Sequence, residues 1–224
     1  MDPMHVFIET GEKKTFAGAL DYPGWCRSAK DEASALRALF DYGSRYASAL
    51  KAAGIDFQPP GDLAELVVVE RHAGNTTTDF GSPAVPLAAD SAALEPAEYE
   101  RQRLILLACW GAFEATVQLA EGVELSKGPR GGGRDLAEIT AHVLEAERAY
   151  LNKLGWKHPA ESGFNPAQAL DVTRQSVLSA LQAAQNGELP RMGPRGGLMW
   201  SLRFYLRRSA WHLLDHAWEI EDRS

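Results

Sequence analysis

The chain has 224 residues, 24% of them charged and 45% hydrophobic, with 23 basic against 30 acidic side chains and a net charge of -7. That length can bury a sizeable core, and the acidic balance with no dense basic patch argues against a nucleic-acid surface. The two cysteines, Cys26 and Cys109, are far apart in sequence, which argues against a disulfide framework or a cysteine zinc site and fits a reducing, cytoplasmic setting.

The N-terminal run MDPMHVFIETGEKK has no charged-then-apolar leader pattern, and no stretch reaches the about 18 apolar residues of a membrane span. Short runs rich in β-branched and aromatic residues predict strands at MHVFIET, 4–10, and KTFAGALDY, 14–22. In the segment that follows, Ser28 and Asp31 stand three apart like a capping box. Leu36, Leu39, Phe40, Tyr46 and Leu50 then recur at helical spacing up to a natural stop at Gly54. AELVVVERH, 64–72, reads as a third strand. The expectation is a small α+β unit, strand-strand-helix-strand, over residues 1–85, followed by a Gly-, Pro- and Ser-rich connection at about 74–96.

Beyond it the periodicity is helical, with four helices expected at about 96–122, 134–154, 166–186 and 198–221, making a bundle over 86–224. Asn165 before Pro166 is a good start for the third. The glycine-rich turns GPRGGGRD and GPRGGLMW match no phosphate-loop pattern and read as helix terminators. An anion held by Arg130, Arg134 or Arg195 at a helix start is the alternative reading.

At 100° per residue Tyr205, Ser209, His212 and His216 share one stripe of the last helix, flanked by Leu202, Leu206 and Leu213. A buried imidazole needs a hydrogen bond or a metal. Two histidines four apart lie about 6 Å apart along the axis, near enough to reach one ion. Of the other histidines, His5 and His72 fall in the first half and His158 in a loop, whereas His142 sits mid-helix and can point inward. One histidine from the second helix and two from the fourth would give three nitrogens and an open coordination position. Glu145, Asp215 and Glu219 are candidate acceptors for the remaining ring N–H groups.

AHVLEAERAYL with His142, and WHLLDHAWEIED with His212 and His216, resemble the DinB-like (YfiT-type) superfamily of metal-binding four-helix bundles over about residues 96–222. The resemblance implies an up-down-down-up helix order with a crossover between the second and third helices. It implies a divalent metal, zinc or nickel, on His142, His212 and His216, and for some members thiol-dependent transfer or isomerisation with a low-molecular-weight thiol. A small-molecule substrate follows from it, with Tyr205 or Glu145 as candidates for proton transfer. The competing expectation is a non-catalytic two-domain protein that binds a ligand or a second protein and whose histidines are structural. A homodimer is a further expectation. In the first half, FAGALDYPGWCRSAKDEASAL is similar to the strand, turn and helix of HicB-like antitoxin domains, with the turn Pro23-Gly24-Trp25-Cys26 displaced by one residue. Cys26 has no obvious base nearby in sequence and reads as a small, partly buried residue.

Overall fold

The computed structural model describes residues 3–127, 133–157 and 166–224. The class is α+β as expected. The chain runs through β1 (Met4–Thr10), β2 (Thr15–Ala19), β3 (Cys26–Ala29), α1 (Glu32–Asp41), α2 (Gly43–Lys51), β4 (Leu66–Ala73), a single turn α3 (Thr76–Asp79), and then α4 (Pro96–Leu119), α5 (Leu136–Leu154), α6 (Pro166–Gln185) and α7 (Leu202–Arg223). The four strands form one mixed sheet in the order β3-β2-β1-β4, with β1 antiparallel to β2 and parallel to β4.

Three local expectations are corrected. Ser28 is not a cap, because Cys26–Ala29 pairs with β2 as a further strand, with Ser28 opposite Phe16. The helix starts later, where the Asp31 carboxylate accepts from Ser34 N–H at 2.8 Å. It also breaks at Tyr42 into α1 and α2. The stretch at 74–96 is more than a bare connection, since it holds α3 and a 3-10 turn at Ala88–Ser91 and carries buried Thr78 and Asp90.

Period-two alternation assigns each face of the sheet. Val6, Ile8, Ala17 and Ala19 join the core that holds Ala35 and Leu39 of α1 and Tyr46 and Leu50 of α2, while Phe7, Phe16 and Cys26 pack with Leu87 and with Trp211 of α7. That first core continues without a break into α4 to α7, through Tyr99, Ile105 and Leu214 among others.

The bundle order can be read from end contacts. Arg203 pairs with Glu98 at the start of α7 and α4, and Thr116 donates to Glu221 near their ends, so these helices run parallel. The carbonyl of Lys153 near the end of α5 accepts from Trp200 N–H just before α7, and Arg223 at the end of α7 reaches the carbonyl of Arg134 just before α5. Gln185 at the end of α6 donates to the carbonyl of Leu94 just before α4, and Arg174 pairs with Glu114. Helices α5 and α6 therefore run opposite to α4 and α7, the up-down-down-up order. Asn165, His158 and most of the crossover lie outside the described residues.

Helix α7 is apolar or buried almost all round because it has neighbours on every side, the sheet on one and the bundle on the other. The Pro23–Cys26 turn rests on it. Gly24 has φ 95°, and a Cβ there would come within 3.0 Å of Leu214 and 3.2 Å of Ala210, so both its conformation and its closeness require glycine. Arg27 bonds Asp215 at 2.9 Å, and its guanidinium lies 4.1 Å from the centre of the Tyr42 ring. Arg207 forms a buried ion pair with Asp90. These contacts fix α7, and with it two of the three candidate ligands, against the first half of the chain.

Candidate metal centre

Helix α5 carries His142 and is started by a reciprocal cap. The Asp135 carboxylate accepts from Glu138 N–H at 2.8 Å, and the Glu138 carboxylate accepts from Asp135 N–H at 2.9 Å. Asp135→Ala is expected to cost about 1 kcal/mol of stability in urea unfolding, the usual worth of such a cap. An unchanged midpoint would show that the cap is not needed to hold the first turns. Helix α7 is started by Ser201, whose hydroxyl accepts from Phe204 N–H at 3.2 Å, and it delivers His212 and His216 to the same place.

The structure brings His142, His212 and His216 together, with one ligand nitrogen of each lying within 4.8 Å of the other two. The Nε2 atoms of His142 and His212 are 3.2 Å apart. Two nitrogens on one tetrahedral zinc, with bonds of about 2.0–2.1 Å, stand about 3.3 Å apart, so this pair is already spaced for a shared ion. The ring centres are 5.1 Å (His142–His212), 5.0 Å (His142–His216) and 4.6 Å (His212–His216) apart. His212 and His216 are buried while His142 is half-buried, so the triad faces solvent on the α5 side.

The surroundings of His142 and His212 favour the neutral imidazole, the form that binds a metal. Burial pushes His212 well below its ordinary value, helped by the charges of His216, His142, Arg208 and Arg134. His142 is lowered too, by burial first and then by Arg134 and His216. His216 Nδ1 lies 2.8 Å from Glu219 Oε2, leaving Nε2 for the triad, and Glu219 is in turn held by Arg223 at 2.6 Å. This carboxylate-histidine pair is the outer support that metal-ligating histidines usually carry. Glu219 was one of the expected acceptors. Asp215, the other on that helix, is engaged with Arg27 instead.

Glu145 is exposed and makes no hydrogen bond with His142, although its charge acts on that imidazole. Tyr205 is fully buried two turns from His212 on α7, about 10 Å along the axis. Burial, and then the charge of Glu147, hold its phenol above the usual range. The phenol nearest the triad is that of Tyr150, whose ring centre is 5.7 Å from that of His212. Sequence reasoning passed over Arg208 and Glu147. The signal for Glu147 was its spacing, four residues after Val143 and four before Leu151 on the core-facing stripe of α5. Trp110 Nε1–H donates to one Glu147 oxygen, the other has no partner among the described residues, and burial raises the carboxyl to about 7.

His5 and His72 are remote from the triad, and His72 is engaged with Glu70 at 2.8 Å. Both cysteines are free and buried, and burial pushes their thiols up, against a role as nucleophile. The second glycine-rich turn closes a small loop, with Met192 bridged to Leu198 and Gly193 N–H donating to Gly197 C=O at 2.7 Å. Helix α7 starts only at Leu202, so Arg195 is not at its N-terminus. Arg130 lies outside the described residues, and Arg134 is exposed beside the triad.

No family model, curated protein or solved structure matches the chain. Among the described residues no helix is long and apolar enough to cross a membrane.

Proposed function

We propose that this protein holds one divalent ion, zinc or nickel, on His142, His212 and His216, and acts as a metal-dependent enzyme on a small molecule, by thiol-dependent transfer or isomerisation or by hydrolysis. The observation that carries the reading is the convergence of three imidazole nitrogens from two helices, without a fourth protein ligand among the described residues. When bound, such an ion supplies a Lewis acid that favours the deprotonated form of a thiol or water at neutral pH. The protein's own part is positional. Glu219 orients His216, the packed α7 fixes His212, and the half-buried His142 leaves the approach open. The helix order and the ligand positions agree with the DinB-like resemblance, which supports a low-molecular-weight thiol as cosubstrate.

The test is elemental analysis of the purified chain after equilibration with zinc or nickel, paired with thiol-transfer assays on a panel of electrophiles. One ion per chain and metal-dependent turnover are expected. A chain that takes up no stoichiometric ion ends the enzymatic reading, and metal uptake without turnover favours a binding protein.

A further inference from the structure

Helix α7 carries three arginines on its buried length, and they are not treated alike. Arg203 has Glu98 and Arg207 has Asp90. Arg208 is 9% exposed and forms no ion pair with any carboxylate of the described residues. Its Nη1 donates to the carbonyl of Pro83 at 2.7 Å, and it lies against the Tyr150 phenol, its guanidinium carbon 5.6 Å from that ring centre. The Glu9 carboxylate is spent on Thr78, on Ala84 N–H at 2.9 Å and on Val85 N–H at 3.1 Å.

A buried guanidinium without a counter-charge is costly, and its planar fork matches an oxyanion. Arg208 also sits one turn before His212 on the same face of α7, about 6 Å along the axis, and its charge reaches the His212 ring. On its other side it lies 4.8 Å from the Trp211 ring centre, and the Trp211 Nε1–H has no acceptor among the described residues. An uncompensated guanidinium on α7 therefore lies one turn from His212. Tyr150 and His142 both keep part of their surface exposed, so solvent reaches both residues.

We infer that Arg208, with Tyr150, is a substrate-binding residue that takes the carboxylate of a small anionic molecule whose second polar group faces the histidine triad. The class is a short carboxylic acid with a thiol, hydroxyl or carbonyl two or three bonds from the carboxylate. This rests on the metal-site reading for the second group, whereas the carboxylate contact is a property of Arg208 alone.

The experiment separates the two. Metal-free and zinc-loaded protein are each titrated with 3-mercaptopropionate and with the uncharged 2-mercaptoethanol, following the fluorescence of Trp211 against an Arg208→Gln control and a Trp211→Phe blank. The acid is expected to bind at least tenfold tighter than the neutral thiol in the wild type, with or without zinc, and Arg208→Gln to erase that preference while zinc stoichiometry stays the same. Arg208→Lys, which keeps the charge but not the fork, is expected to restore part of it. Equal affinity for the two thiols in the wild type, or a preference that survives in Arg208→Gln, overturns the assignment. Loss of zinc binding in wild type with the carboxylate preference intact would sink the metal reading and leave the Arg208 site standing.

Discussion

His212→Ala is expected to lose stoichiometric zinc or nickel, with affinity falling by more than about 100-fold. The reference point is an outer partner: loss of a carboxylate that orients a ligating histidine costs about 10–100-fold, and Glu219→Gln should fall in that range because it weakens only the hold on His216 Nδ1. Removing His212 takes away the ring whose Nε2 stands 3.2 Å from that of His142 and leaves two donors, so its cost must exceed that of Glu219→Gln. His142→Ala is the companion variant. Its side chain is half-buried, so it perturbs packing less than a change on α7, and equal loss of metal in both variants rules out misfolding as the cause. Competition dialysis against a chelator with known affinity reads all three, with far-ultraviolet circular dichroism as the fold control. If His212→Ala keeps its ion while Glu219→Gln loses it, the triad is not the site.

The same centre sets a pH expectation. His142 and His212 are lowered from the ordinary imidazole value of 6.5, so protons begin to compete for their nitrogens only below it. For the metal-free fold the sign is that of a depressed group: the stabilisation from keeping these rings neutral is full above pH 6.5 and is lost as pH falls toward their folded values. Half-release of the ion is expected below pH 6.5, and a midpoint above it would contradict neutral, buried ligands.

What the sequence made legible were the features that repeat along a helix. The four bundle helices and the stripe of His212 and His216 follow from periodicity, and His142 could be placed inward from Leu136, Ile139 and Val143 on its own helix. Strand β3 was hidden because CRSA has one apolar face at most and gains its ladder only from β2, a partner distant from the capping pattern it mimics. Arg208 was illegible for another reason. On a helix that is buried on every side, an arginine's surroundings depend on which residues arrive from elsewhere, here Pro83 and Tyr150, and no spacing within α7 encodes that. The same holds for the Pro23–Cys26 turn, whose need for Gly24 arises from the closeness of Ala210 and Leu214.

Glu147→Gln is expected to stabilise the protein at pH 8 by about 3 kcal/mol and to have almost no effect near pH 4.5. The carboxyl has an ordinary value of 4.5 and is raised to about 7 in the fold, first by burial, with the Trp110 hydrogen bond opposing the shift. A raised carboxyl means that the folded state holds its proton more tightly than the unfolded chain. Its contribution is therefore fully present below pH 4.5 and is lost as pH rises through about 7, and the span between the two values, at 1.36 kcal/mol per unit, is on the order of 3 kcal/mol. Glutamine keeps the oxygen that accepts from Trp110 Nε1–H and cannot ionise, so the variant should show a flatter stability profile on the alkaline side. Urea unfolding of wild type and variant at pH 5 and pH 8 measures the difference, which should be at least about 2 kcal/mol larger at pH 8. Parallel profiles would mean that Glu147 is charged in the fold or relieved by a shift of its neighbours. A destabilised carboxylate in the bundle core, about three turns of α5 from the cap at Asp135 and close enough to Tyr205 for its charge to act on that phenol, would then have to be balanced by water reaching its unpartnered oxygen.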